Sequence, residues 1–213
     1  MNISQKTFIG WSLAILPILA SVLWFYVFAG IGGGSDDPST VLGNVADSVL
    51  LSKILISIAA LSIALVIVSY VMFSRGLAAD SDNPFLGNFT ALLLIISGAI
   101  NLVNANNFSA SLSMYDSNAA QALNMFVLGN LEFGANDILF GVALITLGKA
   151  VREVKNKLGP AIILNIVSFG ALIIGVINIV NVFATNDILG MVSWLGWVLV
   201  SVLIGIGVIR SKS

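Results

Sequence analysis

The stretch Gly175–Arg210, "GVINIVNVFATNDILGMVSWLGWVLVSVLIGIGVIR", holds two apolar runs parted by the short polar break Thr185-Asn186-Asp187, and it ends on an arginine. About 20 apolar residues in a helix cross the hydrocarbon of a bilayer. Traced back to Ala161, the first run is long enough, and so is the second. Asn or Asp ahead of an apolar run is a normal helix N-cap, so Asn186 and Asp187 mark where the second helix starts. The stretch reads as a membrane hairpin.

Working outward, Phe8–Ala29, Ile54–Ser74, Phe85–Val103 and Ile138–Val154 join Ala161–Phe183 and Ile188–Ile209 as predicted spans, six in all. The fourth is short, and "NMFVLGNLEF" (Asn124–Phe133) either continues it or lies in the interface. Of the 213 residues 58% are apolar and 9% charged, against about 25% charged in soluble domains. So few charges do not cover a water-soluble globule of this size. The apolar run after Lys6 is longer than the roughly 7–15 residues of a secretory signal core, so it is expected to stay as the first span.

Orientation follows from lysine and arginine, which favour the cytoplasmic side. Lys6, Arg75, Lys149, Arg152, Lys155, Lys157, Arg210 and Lys212 all fall on one side of a six-span chain, and Lys53 on the other. Asp36, Asp37, Asp47, Asp116, Glu132, Asp137 and Asp187 fall opposite the basic side. The expected fold is thus an all-α integral membrane bundle of six transmembrane helices. It forms a single domain, with both termini cytoplasmic, in the cytoplasmic membrane of a prokaryote. Outer loops are expected at 30–52 and 105–131, with Thr40 capping a helix that leads into the second span. Gly159 and Pro160 are expected to close the helix before the fifth.

The opening phrase has an echo. "GAINLVN" from Gly98 and "GVINIVN" from Gly175 lie 77 residues apart, and the same offset relates Arg75 to Arg152 and Asn88 to Asn165. Polar matches at one offset are harder to obtain by accident than aligned Leu and Ile. They predict a parallel repeat of helix pairs, with units about 54–104 and 131–181. "FGANDILF" from Phe133 and "FATNDILG" from Phe183 add a second echo.

Asn101 and Asn104, like Asn178 and Asn181, are three apart and share a helix face. Lipid solvates an amide poorly, so both faces should turn toward other helices. With Glu132, Asp137 and Asp187 they form the predicted outer polar cluster, open to two readings. In one, the amides bond across helices and cap helix starts. In the other, they line an outward pocket for a small ligand or cation. Ala171 and Gly175, and Ser201 and Gly205, are small pairs four apart that let helix backbones approach. Trp194 and Trp197 make one packing face.

Much chemistry is excluded. Cys and His are absent, which removes disulfides, thiolate metal sites, imidazole ligation and Ser-His-Asp triads. No phosphate-binding loop of the GxxxxGK[ST] type is present, and no acid or base sits near a span's middle, where coupled transporters keep one. The net charge of −1 gives nucleic acid no purchase. No metal or cofactor is expected, and the chain is not expected to be an enzyme. The first functional expectation is a non-catalytic subunit or accessory protein, packed in the lipid bilayer against other membrane subunits or copies of itself. The alternative is a channel or facilitator for a small neutral or weakly cationic solute, entering at the Asn cluster. An intramembrane enzyme using Glu132 or Asp137 comes third.

"DILFGVALITLGKAVREVKNKLGPAIILNIVSFGALIIG", Asp137–Gly175, has a Gly- and Leu-rich helix, a short basic turn, a proline and a second apolar helix. Over these 39 residues the chain resembles the domain-of-unknown-function family 4386, a group of small polytopic prokaryotic proteins. The resemblance implies a membrane helix bundle and assigns no activity or site residue.

Overall fold

The computed structural model describes residues 3–129, 134–158, 161–184 and 186–211, the side chains of 155–158 and 161 lying outside that description. Among the described residues the chain is all-α, without strands. α1 (Ile3–Phe25) runs on through a π-helical segment (Tyr26–Ile31). There follow α2 (Pro38–Ala46), α3 (Val49–Asp80), α4 (Phe85–Met114), α5 (Ala119–Gly129), α6 (Ala135–Leu158), α7 (Ala161–Ala184) and α8 (Asp187–Arg210).

All six predicted spans fall inside helices. Among the described residues five helices are long and apolar enough to cross a membrane: Ile3–Ile31, Val49–Asp80, Phe85–Met114, Ile162–Ala184 and Asp187–Arg210. This is the pattern of a multi-pass membrane protein. α6, which carries the fourth predicted span, is not among them. Its uninterrupted apolar stretch runs only from Ile138 to Gly148, and Lys149, Arg152 and Glu153 follow within two turns. The five apolar helices keep large hydrophobic side chains exposed along most of their length. On α7 these are Ile162, Ile166, Phe169, Ile173, Val176, Val180 and Phe183, an alternating three-four spacing. That is one continuous face of a helix, and it suits hydrocarbon rather than water.

The chain packs as two compact units. The first comprises Met1–Pro17, Leu65–Gly98 and Phe133–Ser213. Its helices meet at glycines. A Cβ on Gly175 would lie 2.5 Å from the Gly141 carbonyl oxygen, and one on Gly141 would lie 2.7 Å from the Gly175 carbonyl. Gly148 similarly faces the Ser168 carbonyl, and Gly87 that of Ser74. Gly205 approaches Gly10 and Ala14. Three antiparallel contacts result, α6 on α7, α4 on α3 and α8 on α1. Such approach leaves no room for a side chain at the crossing. Between lipid-bathed helices it replaces the hydrophobic drive with dispersion contact. The expected small pairs are therefore used: Ala171 and Ser201 are fully buried, and Gly175 and Gly205 sit at crossings.

The second unit is Ile18–Ala64 with Ala99–Glu132. Its core is Val27, Val41, Leu42, Val45, Ile56, Phe108, Leu112, Ala122 and Phe126. The rings of Trp24, Phe28, Phe108 and Phe126 meet with centroids 5.1–6.0 Å apart, a range in which aromatic pairs add about 0.5–1.5 kcal/mol beyond burial. The expected loops at 30–52 and 105–131 are largely helical here: they hold α2, the start of α3, the end of α4 and α5. Composition misled at "NANNFSASLSM", where a polar exterior hides Phe108 and Leu112, four apart on one buried face. "AAQALNMFVLG" stands as a separate helix, α5, with Ala122 and Phe126 buried. The π segment ends at Gly32, and Gly33 and Gly34 take φ of 79° and 62°, where only glycine is unstrained. Asn44 then ties the turn down, its Nδ2 donating to the Gly32 carbonyl at 3.0 Å.

The N-cap of α2 is Asp37 rather than Thr40. The Asp37 carboxylate accepts from the Ser39 and Thr40 backbone N–H groups at 3.2 Å and from their hydroxyls at 2.6 and 2.7 Å. Pro38 at the first helical position needs no acceptor. The Ser39 hydroxyl, then the Thr40 hydroxyl and the backbone donors, hold the carboxyl pKa down from 3.8 to about 2.

Two outcomes follow from this packing. Gly175→Leu should destabilise the purified chain by about 1–3 kcal/mol or more through overpacking, read as a lower thermal midpoint in mild detergent. Gly134→Ala, where an added Cβ meets open space, should leave the midpoint in place. For Asp37 the folded pKa is depressed, so the carboxylate's support of α2 is complete above 3.8 and is lost as pH falls toward 2. Amide exchange at Ser39 and Thr40 should accelerate over that window, and Asp37→Ala should abolish the pH step.

Candidate functional site

In the first unit, α8 gathers its neighbours along one buried face. Ser193 donates to the Asn178 side-chain oxygen on α7. One turn on, the Trp197 ring meets Phe140 of α6 edge-on at 6.1 Å. A further turn brings Ser201 within 2.8 Å of the Tyr70 hydroxyl on α3, and Gly205 follows at the α1 crossing. The Ser201 hydroxyl also donates to the Trp197 carbonyl at 2.8 Å. A serine has one proton to give, so Tyr70 is the donor in their bond.

Similar side-chain bonds tie the other helices. Thr90 on α4 donates to the Thr146 hydroxyl of α6 at 2.7 Å, and Ser97 to Asn136 at the start of α6 at 2.8 Å. Ser168 on α7 donates to the Gly148 carbonyl at 2.8 Å. Among the described residues two buried groups have no hydrogen-bond partner, Ser74 Oγ and Trp197 Nε1. An unsatisfied buried group costs about 1–3 kcal/mol. Trp197 lies against the rings of Trp194 and Phe140, the packing face expected for the tryptophan pair.

The predicted polar cluster divides between the units. Asn101 and Asn104 are half-buried in the second, while Asn178, Asn181, Asp137 and Asp187 belong to the first. Asn178 is the amide that Ser193 meets. It stands at a three-helix junction, its Cβ only 3.3 Å from where Gly141 would carry one. Asn181 is buried, and its oxygen accepts from the Asn186 N–H at 3.2 Å. Asn186 in turn caps α8, accepting from the Ile188 and Leu189 N–H groups at 2.9 and 3.3 Å. Asp137 accepts from the Gly134 N–H at 3.3 Å. Asp187 is exposed in the first turn of α8, where the helix dipole favours an anion. Glu132, Gly159, Pro160 and Lys212 lie outside the described residues, as do the side chains of Lys155 and Lys157. Among the described residues no group of three or more Asp or Glu side chains stands close enough to hold a metal ion.

Of the basic residues, Arg75, Lys149, Arg152 and Arg210 are exposed, and Lys6 is half-buried. The Arg152 guanidinium lies over the Phe169 ring, 5.6 Å from its centroid. Lys53 is half-buried at the start of α3.

Sequence reasoning identified the Asn faces but missed their hydroxyl partners, Ser193 and Ser97, and the pairs Tyr70–Ser201 and Thr90–Thr146. The available signal is a hydroxyl inside an otherwise apolar span at the depth of an amide or phenol on a neighbouring span.

A double-mutant cycle of Asn178→Ala and Ser193→Ala should return a coupling of about 0.6 kcal/mol, with about 1.7 as the upper range for a bond between membrane helices. Equilibrium unfolding in mixed micelles measures it. A scan against protein-family models and searches of curated proteins and of solved structures return no match, so function is read from the side chains themselves.

Proposed function

We propose that this chain is a non-catalytic integral membrane subunit or accessory protein, crossing the cytoplasmic membrane of a prokaryote six times with both termini inside. The observation that carries this reading is where the polar side chains go. Asn178 is engaged by Ser193, Asn181 by the Asn186 N–H, Asn136 by Ser97 and Asp137 by Gly134. These groups join helices and cap helix starts, which leaves them little to offer a solute.

α6 serves as the sixth span in this reading although its apolar stretch is short. Support comes from its shelter: Ala143, Leu144, Leu147, Ala150 and Val151 are buried against neighbouring helices. Lys149 and Arg152, at its basic end, then reach the cytoplasmic headgroups by snorkelling. The internal repeat is supported at one position pair. Gly98 and Gly175 are both buried against the preceding helix of their hairpin, at Ile67 and at Gly141 with Ile145. The long exposed apolar faces of α1 and α7 give lipid, a second copy or another subunit room to pack.

Extraction of the native chain in mild detergent, followed by mass spectrometry, is expected to recover it with a stoichiometric membrane partner or as a homo-oligomer. A lone monomer would overturn the reading. So would solute uptake into liposomes that the folded Asn178→Leu variant abolishes.

A further inference from the structure

The basic end of α6 faces the apolar stripe of α7 in a way the subunit reading does not use. Lys149 and Arg152 are three apart on α6, so they share a face, and both are exposed. Among the described residues no carboxylate pairs with either; the one recorded contact of the Arg152 guanidinium is the Phe169 ring at 5.6 Å. Glu153, the adjacent acid, turns elsewhere and accepts from the Ser81 hydroxyl at 3.2 Å. Phe169 is itself 54% exposed and sits within the stripe, followed by Ile173 and Val176, which are 58% and 51% exposed. Two uncompensated cations therefore stand beside a continuous apolar surface, with Ile162 and Ile166 on one side of Phe169 and Ile173 to Phe183 on the other.

We propose that Lys149, Arg152 and the Phe169–Val176 face of α7 form a binding site for one anionic phospholipid. The complementarity has two parts. A lipid phosphate matches the guanidinium fork, which presents paired N–H donors in the plane a phosphate accepts, with Lys149 adding a second point charge. An acyl chain matches the stripe beyond Phe169, which offers aliphatic side chains and no polar group to desolvate. Phe169 links the two: its ring face holds the guanidinium by a cation–π contact while its edge continues the apolar surface. A free anion would use only the first half of this arrangement, and a zwitterionic lipid would bring its own cation to two that are already there.

The test uses the full chain in mild detergent, titrated with phosphatidylglycerol or with phosphatidylcholine of the same acyl chains, and bound lipid counted by native mass spectrometry. Wild type should retain one phosphatidylglycerol in preference to phosphatidylcholine. Each cation removed should weaken retention by about five-fold, in Arg152→Gln and further in Lys149→Gln/Arg152→Gln. Phe169→Leu keeps the apolar surface but frees the guanidinium, and should weaken retention less than Arg152→Gln. Arg75→Gln, also at an exposed basic residue, should change nothing. Equal binding of the two lipids, or a double variant that keeps wild-type retention, overturns the proposal. An Arg75→Gln loss equal to that of Arg152→Gln also overturns it, because it would show a diffuse surface charge instead of a site. Displacement of the lipid by millimolar inorganic phosphate would assign the cations to a free anion and overturn it as well. Each variant is first required to keep the wild-type thermal midpoint. If Arg152→Gln does not, Arg152→Lys, which retains the charge and loses the fork, gives the same comparison with an intermediate effect.

Discussion

Hydrocarbon accepts and donates no hydrogen bonds, so each polar group inside it must be met by the chain. The rest of the first unit depends on that constraint. Several of its hydroxyls take an acceptor on their own helix: Ser69 donates to the Leu65 carbonyl, Thr146 to Val142 and Ser201 to Trp197, all one turn back. What is left over, a lone pair on Ser201 or on Thr146, is then offered to the next helix. In the links Tyr70–Ser201 and Thr90–Thr146, the accepting hydroxyl already donates on its own helix, and Tyr70 and Thr90 supply the proton. They add register, and parting the helices would leave the buried Tyr70 O–H without its acceptor. Asn cannot do this as easily, because its amide has more donors and acceptors than its own helix can serve. It is therefore the residue whose partners most restrict how α7 and α8 align.

Glycine supplies the other half of the arrangement. Gly141 meets the Gly175 carbonyl and at the same time leaves room for Asn178, one turn further along α7. The repeated phrase "GxxN" has a physical meaning at this copy: the glycine lets α6 and α7 close up, and the asparagine on the next turn carries the bond to α8. In the matching stretch Gly98 lies against the Ile67 side chain and not against backbone, and Asn101 falls in the second unit.

Five of the six predicted spans were legible because twenty apolar residues in a row have few other uses, and these lie in helices long and apolar enough to cross a membrane; the fourth lies in a helix that is not. The amphipathic stretches were not. Asp37 was hidden as a cap because Asp, Ser, Ser and Thr all stand within six residues, and any of them fits the role by type. The segment from Asn104 to Met114 reads as a polar loop because only Phe108 and Leu112 mark its buried face, too few to show a helical period. In the candidate site, the faces of Asn178 and Asn181 were legible from their spacing and their partners were not. A serine in a span can bond back to its own helix, as Ser69 does, or reach across, as Ser168 and Ser193 do, and nothing in its identity says which. α6 shows a related limit. Its charges shorten its apolar stretch, and its buried face of Ala143, Leu144, Leu147, Ala150 and Val151 is seen only in the structure.

The two units hold together by different means, and this has consequences for how each can change. In the second, four rings and a set of branched aliphatic side chains fill the space between helices. Volume is what matters there, and apolar exchanges of similar size cost little, typically below about 1.5 kcal/mol. In the first, backbone lies against backbone at Gly10, Gly87, Gly141, Gly148, Gly175 and Gly205, and no side chain at those positions is small enough to substitute. Its sequence is therefore constrained where it looks least informative, at glycines inside long apolar runs. The outward faces of the same helices are free to vary among Ile, Leu, Val and Phe as long as they stay apolar. Arg152 and Phe169 stand where these regimes meet. Their contact keeps a guanidinium beside an apolar surface that would otherwise reject it, and it does so on a face where ordinary membrane packing asks for nothing more specific than hydrocarbon.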